Sequence, residues 1–198
     1  MDFTASRSAK VISIALISMV VTQIVYFALY SQGADINRSI IWTVEAVGFQ
    51  AIAVFALVPL AKGRDLSAAW AAIAVGGILN AIQVGMGLAM FGPVSDAGEA
   101  MAPAFQSILA GAFFLYFAGK FLFGFAAILF GLVAVRCGDG LGKAIGWLAV
   151  LAGVAAMLAN TGAMAQGMTL VLPAGAAGTA ATLLLAVSII VTEKRAAR

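Results

Sequence analysis

Marking apolar and polar positions along the 198-residue chain leaves six long apolar runs, at roughly 11–31, 39–61, 66–91, 104–135, 143–160 and 168–192, separated by short polar interruptions. A spanning helix takes about 17–25 mostly apolar residues, and every run reaches that range. Spanning strands would instead show segments of about 10 residues alternating in polarity, and these runs do not alternate. The pattern predicts an all-α polytopic membrane protein, a compact bundle of six transmembrane helices forming one domain over 1–198. The fourth run is too long for one upright crossing: at 1.5 Å per residue it would measure about 48 Å against a hydrocarbon layer of about 30 Å. Pro103, Gln106 and Ser107 make its outer end less lipid-like. Its first turns are therefore expected to form a separate surface segment, with residues 92–103 as a small external cap. Pro173, followed by Gly175 and Gly178, makes a bend plausible near the outer end of the last run.

Composition strengthens this picture. The chain is 64% hydrophobic and 10% charged, where soluble domains run about 45–50% and about 25%. The charges also give the bundle a direction, because cytoplasmic loops are enriched in Lys and Arg. Arg7, Lys10, Lys62, Arg64, Arg136, Lys143, Lys194, Arg195 and Arg198 all fall on one side, whereas the other carries Arg38 with Asp35, Asp96 and Glu99. Both termini are thus expected to be cytoplasmic, with external loops near 33–38, 92–103 and 161–167. Trp70 and Trp147 at inner ends, and Trp42, Tyr26 and Tyr30 near outer ends, match interfacial aromatic belts. The net charge of +3 is accounted for by these loops, and no basic cluster points to nucleic acid. The first run follows Arg7 and Lys10 as a signal peptide would, but it exceeds an h-region of about 7–15 residues and reads as a retained anchor.

Small residues recur along the fifth run at Gly142, Gly146, Ala149 and Gly153. Such a stripe lets helix backbones approach closely, either inside the bundle or at a seam between two copies. The two halves of the chain show no matching pattern that would indicate inverted repeats.

Ionisable groups inside spans usually face a bundle interior or a water-filled cavity. Two qualify, Glu45 and Lys120. Counting from Ser39 and Phe113 places them about 9 and about 10 Å below the outer boundary. Gln23 and Gln83 fall about 12 Å down and Asn80 about 16 Å down by the same rise. Tyr116 stands one turn from Lys120, so the polar groups gather in the outer half. The bland account is a structural Glu45–Lys120 ion pair with amides bonded across helices, or Lys120 snorkelling to headgroups. The sharper one is a ligand site formed by Glu45, Lys120, Asn80, Gln83, Gln23 and Tyr116.

Several chemistries drop out. The chain has no histidine and one cysteine, Cys137, so His-containing metal sites, a chain-borne iron–sulfur cluster, Ser/His/Asp and Cys/His nucleophile systems and an intrachain disulfide cannot form. No cofactor or metal is expected, and scattered methionines read as membrane filler.

The stretch KFLFGFAAILFGLVAVRCGDGLGKAIGWLAVLAGV, residues 120 to 154, resembles families of six-span bacterial membrane proteins of unknown function, in which a Gly-containing span, a short basic turn and Gly-Trp-Leu precede a second Gly-rich span. The resemblance implies a six-helix bundle in a bacterial inner membrane and transfers no functional residue. The leading expectation is a non-enzymatic membrane protein taking a small polar or amphipathic ligand into an outer-half pocket, for transport or sensing. A structural subunit packing through Gly/Ala surfaces against its own copy or another membrane protein is the alternative; a cofactor-free enzyme acting on lipid trails both.

Overall fold

The computed structural model describes residues 3–34 and 37–196. Asp35 and Arg198, two of the charges used to orient the chain, lie outside the described residues, as does the side chain of Arg195. The elements are α1 (Ala5–Ser31), α2 (Arg38–Ala61), α3 (Ser67–Met86), a π-helical turn (Gly87–Phe91), α4 (Gly92–Asp96), a 3-10 turn (Glu99–Met101), α5 (Ala102–Cys137), α6 (Gly140–Gln166), a second 3-10 turn (Gly167–Leu170) and α7 (Val171–Ala196). The described residues are all-helical, with no strand. Five helical stretches are long and apolar enough to cross a membrane. The last of them, Gly140–Lys194, is 55 residues long and takes in α6 and all but the last two residues of α7. It is folded at Gly167, whose φ of +69° suits a residue without a Cβ. α6 and α7 pack side by side, and Asn160 Nδ2 donates to the Ala174 carbonyl across them at 3.2 Å.

Consecutive long helices run antiparallel, α5 and α7 run parallel, with Gly175 beside Tyr116 and Gly178 beside Lys120, and contacts at each end fix the arrangement. Arg64, between α2 and α3, pairs with Glu193 near the end of α7; Phe3 meets Phe55. Arg7, Lys10, Lys62, Arg64, Arg136 and Lys143 share this basic end. At the far end Trp42 packs edge-on against Phe91, and Phe91 against Phe105.

The packing order is a closed ring: α1 touches α2, α2 touches α3, α3 touches α5, α5 touches α7 and α7 touches α1, with α6 outside against α5 and α7. No Cα of α1 or α2 comes within 8 Å of one in α5, so side chains fill the middle. Towards the basic end these are apolar: Ile12, Leu16, Ile52, Phe123 and Leu185 are all fully buried in one cluster, and Phe49 of α2 stacks on Phe123 of α5 at 6.5 Å.

Three expectations change here. Residues 102–137 form one continuous helix rather than a surface segment plus a span. Pro103 sits in its first turn, where a missing N–H costs nothing, and Ser107 Oγ donates back to the Pro103 carbonyl at 3.0 Å. Its extra length is matched by α3, which continues through the π turn into α4, so the 92–103 segment is the tip of a helical hairpin. Residues 161–166 continue α6 instead of forming a loop, because the Asn160 amide satisfies itself on the Ala156 carbonyl at 2.8 Å without breaking the helix. Pro173 likewise falls in the first turn of α7, where no hydrogen bond is lost.

The glycine stripe is used within the chain. Gly142, Gly146, Ala149 and Gly153 are buried. A Cβ on Gly146 would stand 2.6 Å from the Gly131 carbonyl oxygen, and one on Gly153 2.5 Å from that of Gly124. The opposite face of α6 presents Leu148, Leu151 and Leu158 outward.

Candidate functional site

The polar centre is organised by two consecutive residues of α1. Thr22 Oγ1 and Glu45 Oε1 of α2 are 2.9 Å apart, the hydroxyl donating to the carboxylate. Gln23 Nε2 donates to the Tyr116 hydroxyl of α5 at 3.0 Å. One turn of α1 therefore reaches its neighbour α2 through Thr22 and, across the ring, α5 through Gln23. Thr22 Oγ1 also lies 2.9 Å from the Met19 carbonyl, an alternative acceptor within its own helix for the same single hydroxyl proton.

Lys120 is 1% exposed and does not snorkel to the surface. Its Nζ lies 5.5 Å from the centroid of the Tyr116 ring one turn away, within cation–π range. Its stem lies over α7 at Gly178, where a Cβ would come 2.9 Å from Lys120 Cβ. Gly175, one turn before, faces the Tyr116 hydroxyl, which would stand 3.3 Å from an added Cβ. α7 thus supplies a smooth trough in which α5 lays its two long polar side chains.

Among the described residues the only ion pair within 4 Å is Arg64–Glu193. Glu45 and Lys120 act on each other electrostatically but do not make a direct pair. Asn80 is fully buried, donates to the Gly76 carbonyl at 2.8 Å and abuts the backbone of Gly119, next to Lys120. Its Oδ1 has no hydrogen-bond partner. Gln83, one turn further out, is half-buried, and its side chain makes no hydrogen bond among the described residues. The structure thus brings Gln23, Glu45, Tyr116 and Lys120 together, sets Asn80 against the same turn of α5, and leaves Gln83 apart.

Sequence reasoning missed Thr22, Gly175, Gly178 and Asn160. Thr22 was legible as the neighbour of Gln23 at the same depth. Asn160 repeats the arrangement of Asn80, an amide four residues after a small one, buried and with an unpartnered Oδ1. Two surface grooves of about 370 and 400 Å³ lie on the outer side of α1 and α2, and neither is lined by the six expected residues. No group of three Cys, Asp or Glu side chains suited to a metal ion occurs among the described residues.

Compared with known proteins, the chain matches no protein-family model, no curated protein and no solved structure. The likeness of residues 120–154 to six-span bacterial membrane proteins therefore rests on those residues alone.

Proposed function

We propose that this is a six-span protein of a bacterial inner membrane, with both termini cytoplasmic and a polar, ligand-binding centre in the outer half of the bundle. Six crossings follow from counting α6 and α7 separately, since a straight helix of 55 residues would be about 80 Å long. The basic end is cytoplasmic by the excess of Lys and Arg there. The centre receives a small polar or amphipathic ligand for transport or sensing, and the chain is not an enzyme. One observation carries the reading: Lys120 is buried and Glu45 partly buried, and they act on each other electrostatically yet lie beyond pairing distance. A purely structural role would favour direct contact, because an unpaired buried charge is costly and apolar replacements pack as well or better.

The test is thermal unfolding of the detergent-purified chain with a panel of small anions, cations and zwitterions. A solute that raises the melting temperature of the native chain, but not of Glu45→Gln or Lys120→Met, supports a ligand site. If none does so, and the double variant Glu45→Leu with Lys120→Leu stays folded and functional in cells, the charges are structural. The accessory-subunit reading is weakened by the small-residue stripe of α6, which is spent on α5.

A further inference from the structure

Outside the ring, α1 and α2 enclose a groove of about 370 Å³ lined by Val11, Ile14, Ser18, Met19, Val47 and Gly48. Ile14 and Val47 are exposed on its flanks. Met19 is buried at its floor and belongs to the apolar cluster inside the ring. Its thioether end occupies the place where a Cβ of Gly48 would stand. A flexible, unbranched side chain therefore lies between groove and interior at this point. One turn towards the far end the same seam is closed by the Thr22–Glu45 hydrogen bond. At this level Met19 and the Thr22–Glu45 hydrogen bond lie between α1 and α2, so Glu45 is part of the seam itself, and Tyr116 and Lys120 of α5 lie on the ring side of it.

We propose that the α1–α2 seam is a lateral portal for a zwitterionic long-chain amphiphile, whose chain rests in the groove while its cationic group meets Glu45 and its anionic group meets Lys120. This rests on the ligand-site reading above and adds the ligand class and its route. Charge complementarity selects the class: among the described residues Glu45 has no cation within 4 Å and Lys120 no anion, so a singly charged ligand would leave one of them unmatched. The groove selects the chain. From Val11 to Met19 it follows α1 for about 12 Å, and its walls are almost wholly aliphatic. Hydrocarbon gains little by exchanging lipid for an aliphatic groove, so the headgroup supplies the selection and the groove sets the direction of approach.

The full chain in phosphatidylglycerol nanodiscs is exposed to an alkylphosphocholine carrying a diazirine at its chain end, and labelled peptides are mapped by mass spectrometry. Phosphorylcholine, the same headgroup without a chain, is tested by thermal shift. Labelling is expected on the peptides holding Val11–Ser18 and Val44–Gly48. Val47→Trp, which fills the groove from its lipid-facing side, and Glu45→Gln should each lower that labelling at least about tenfold, the scale of one charge-assisted contact. Phosphorylcholine should still stabilise Val47→Trp. Labelling spread over the outer face of α6 and unaffected by Glu45→Gln would mean annular lipid only and overturn the proposal. So would equal labelling by an alkyl sulfate with the same diazirine. If phosphorylcholine binds in a Glu45-dependent way while the chain never labels the groove, the site stands and the portal falls. If neither probe binds, both fall.

Discussion

The α5–α6 interface and the α1–α2 seam are both pairs of consecutive helices, and they are closed in opposite ways. Between α5 and α6, glycine faces glycine: Gly131 meets Gly146 and Gly124 meets Gly153, backbone against backbone. Nothing there can move without separating two helices. Between α1 and α2 the corresponding glycine, Gly48, faces the free end of Met19, and the next contact is a hydroxyl on a carboxylate. The same residue type builds a weld in one place and a latch in the other. The difference lies in what stands opposite it. The welded side keeps α6 outside the ring, whereas the latched side carries Thr22 and Glu45 of the polar centre, so the rigid contact and the yielding one lie on different flanks of the bundle.

Substitutions can break this contrast. Gly146→Leu should be the most damaging, costing about 3 kcal/mol or more because the Gly131 backbone cannot yield; loss of the monodisperse peak in size-exclusion chromatography would show it. Its counterpart Gly48→Ala should cost under about 1 kcal/mol, since Met19 only has to swing aside, and a comparable loss would erase the distinction. Gly178→Val displaces the Lys120 stem and is expected to cost about 1–3 kcal/mol, read as a lowered melting temperature. Gln23→Leu removes one hydrogen bond to Tyr116 and should cost about 0.5–1.5 kcal/mol. Arg64→Ala, at a half-exposed ion pair on the basic end, should cost no more than about 1 kcal/mol and lose that small effect in high salt.

The sequence was legible where physics leaves little choice. Runs of some 20 apolar residues must be helices in lipid, hence the helices; two costly charges in such runs drew attention to Glu45 and Lys120, which act on each other electrostatically without making the direct pair that was one expectation. Helix ends were less legible. Pro103 and Pro173 read as interruptions, yet in a first turn proline starts a helix. Asn160 read as the edge of a loop, yet it bonds its own helix and the next. The ring order was hidden altogether, because it depends on which faces of α5 meet α3, α6 and α7, and α5 is apolar on every side. Only the glycines mark those faces, and periodicity in small residues does not say which partner they await. Gly142, Gly146, Ala149 and Gly153 matched a dimer seam as well as an internal one.

The overlong α5 has a practical consequence. At an average tilt of about 20°, its 36 residues cover about 51 Å of depth, some 20 Å more than the hydrocarbon layer. With the α3–α4 extension packed beside it through Phe91 and Phe105, the surplus is a two-helix crest. A particle of 20.1 kDa otherwise offers image alignment almost nothing beyond its detergent belt. A nanobody raised against the crest would give the particle a rigid fiducial without touching the α1–α2 seam.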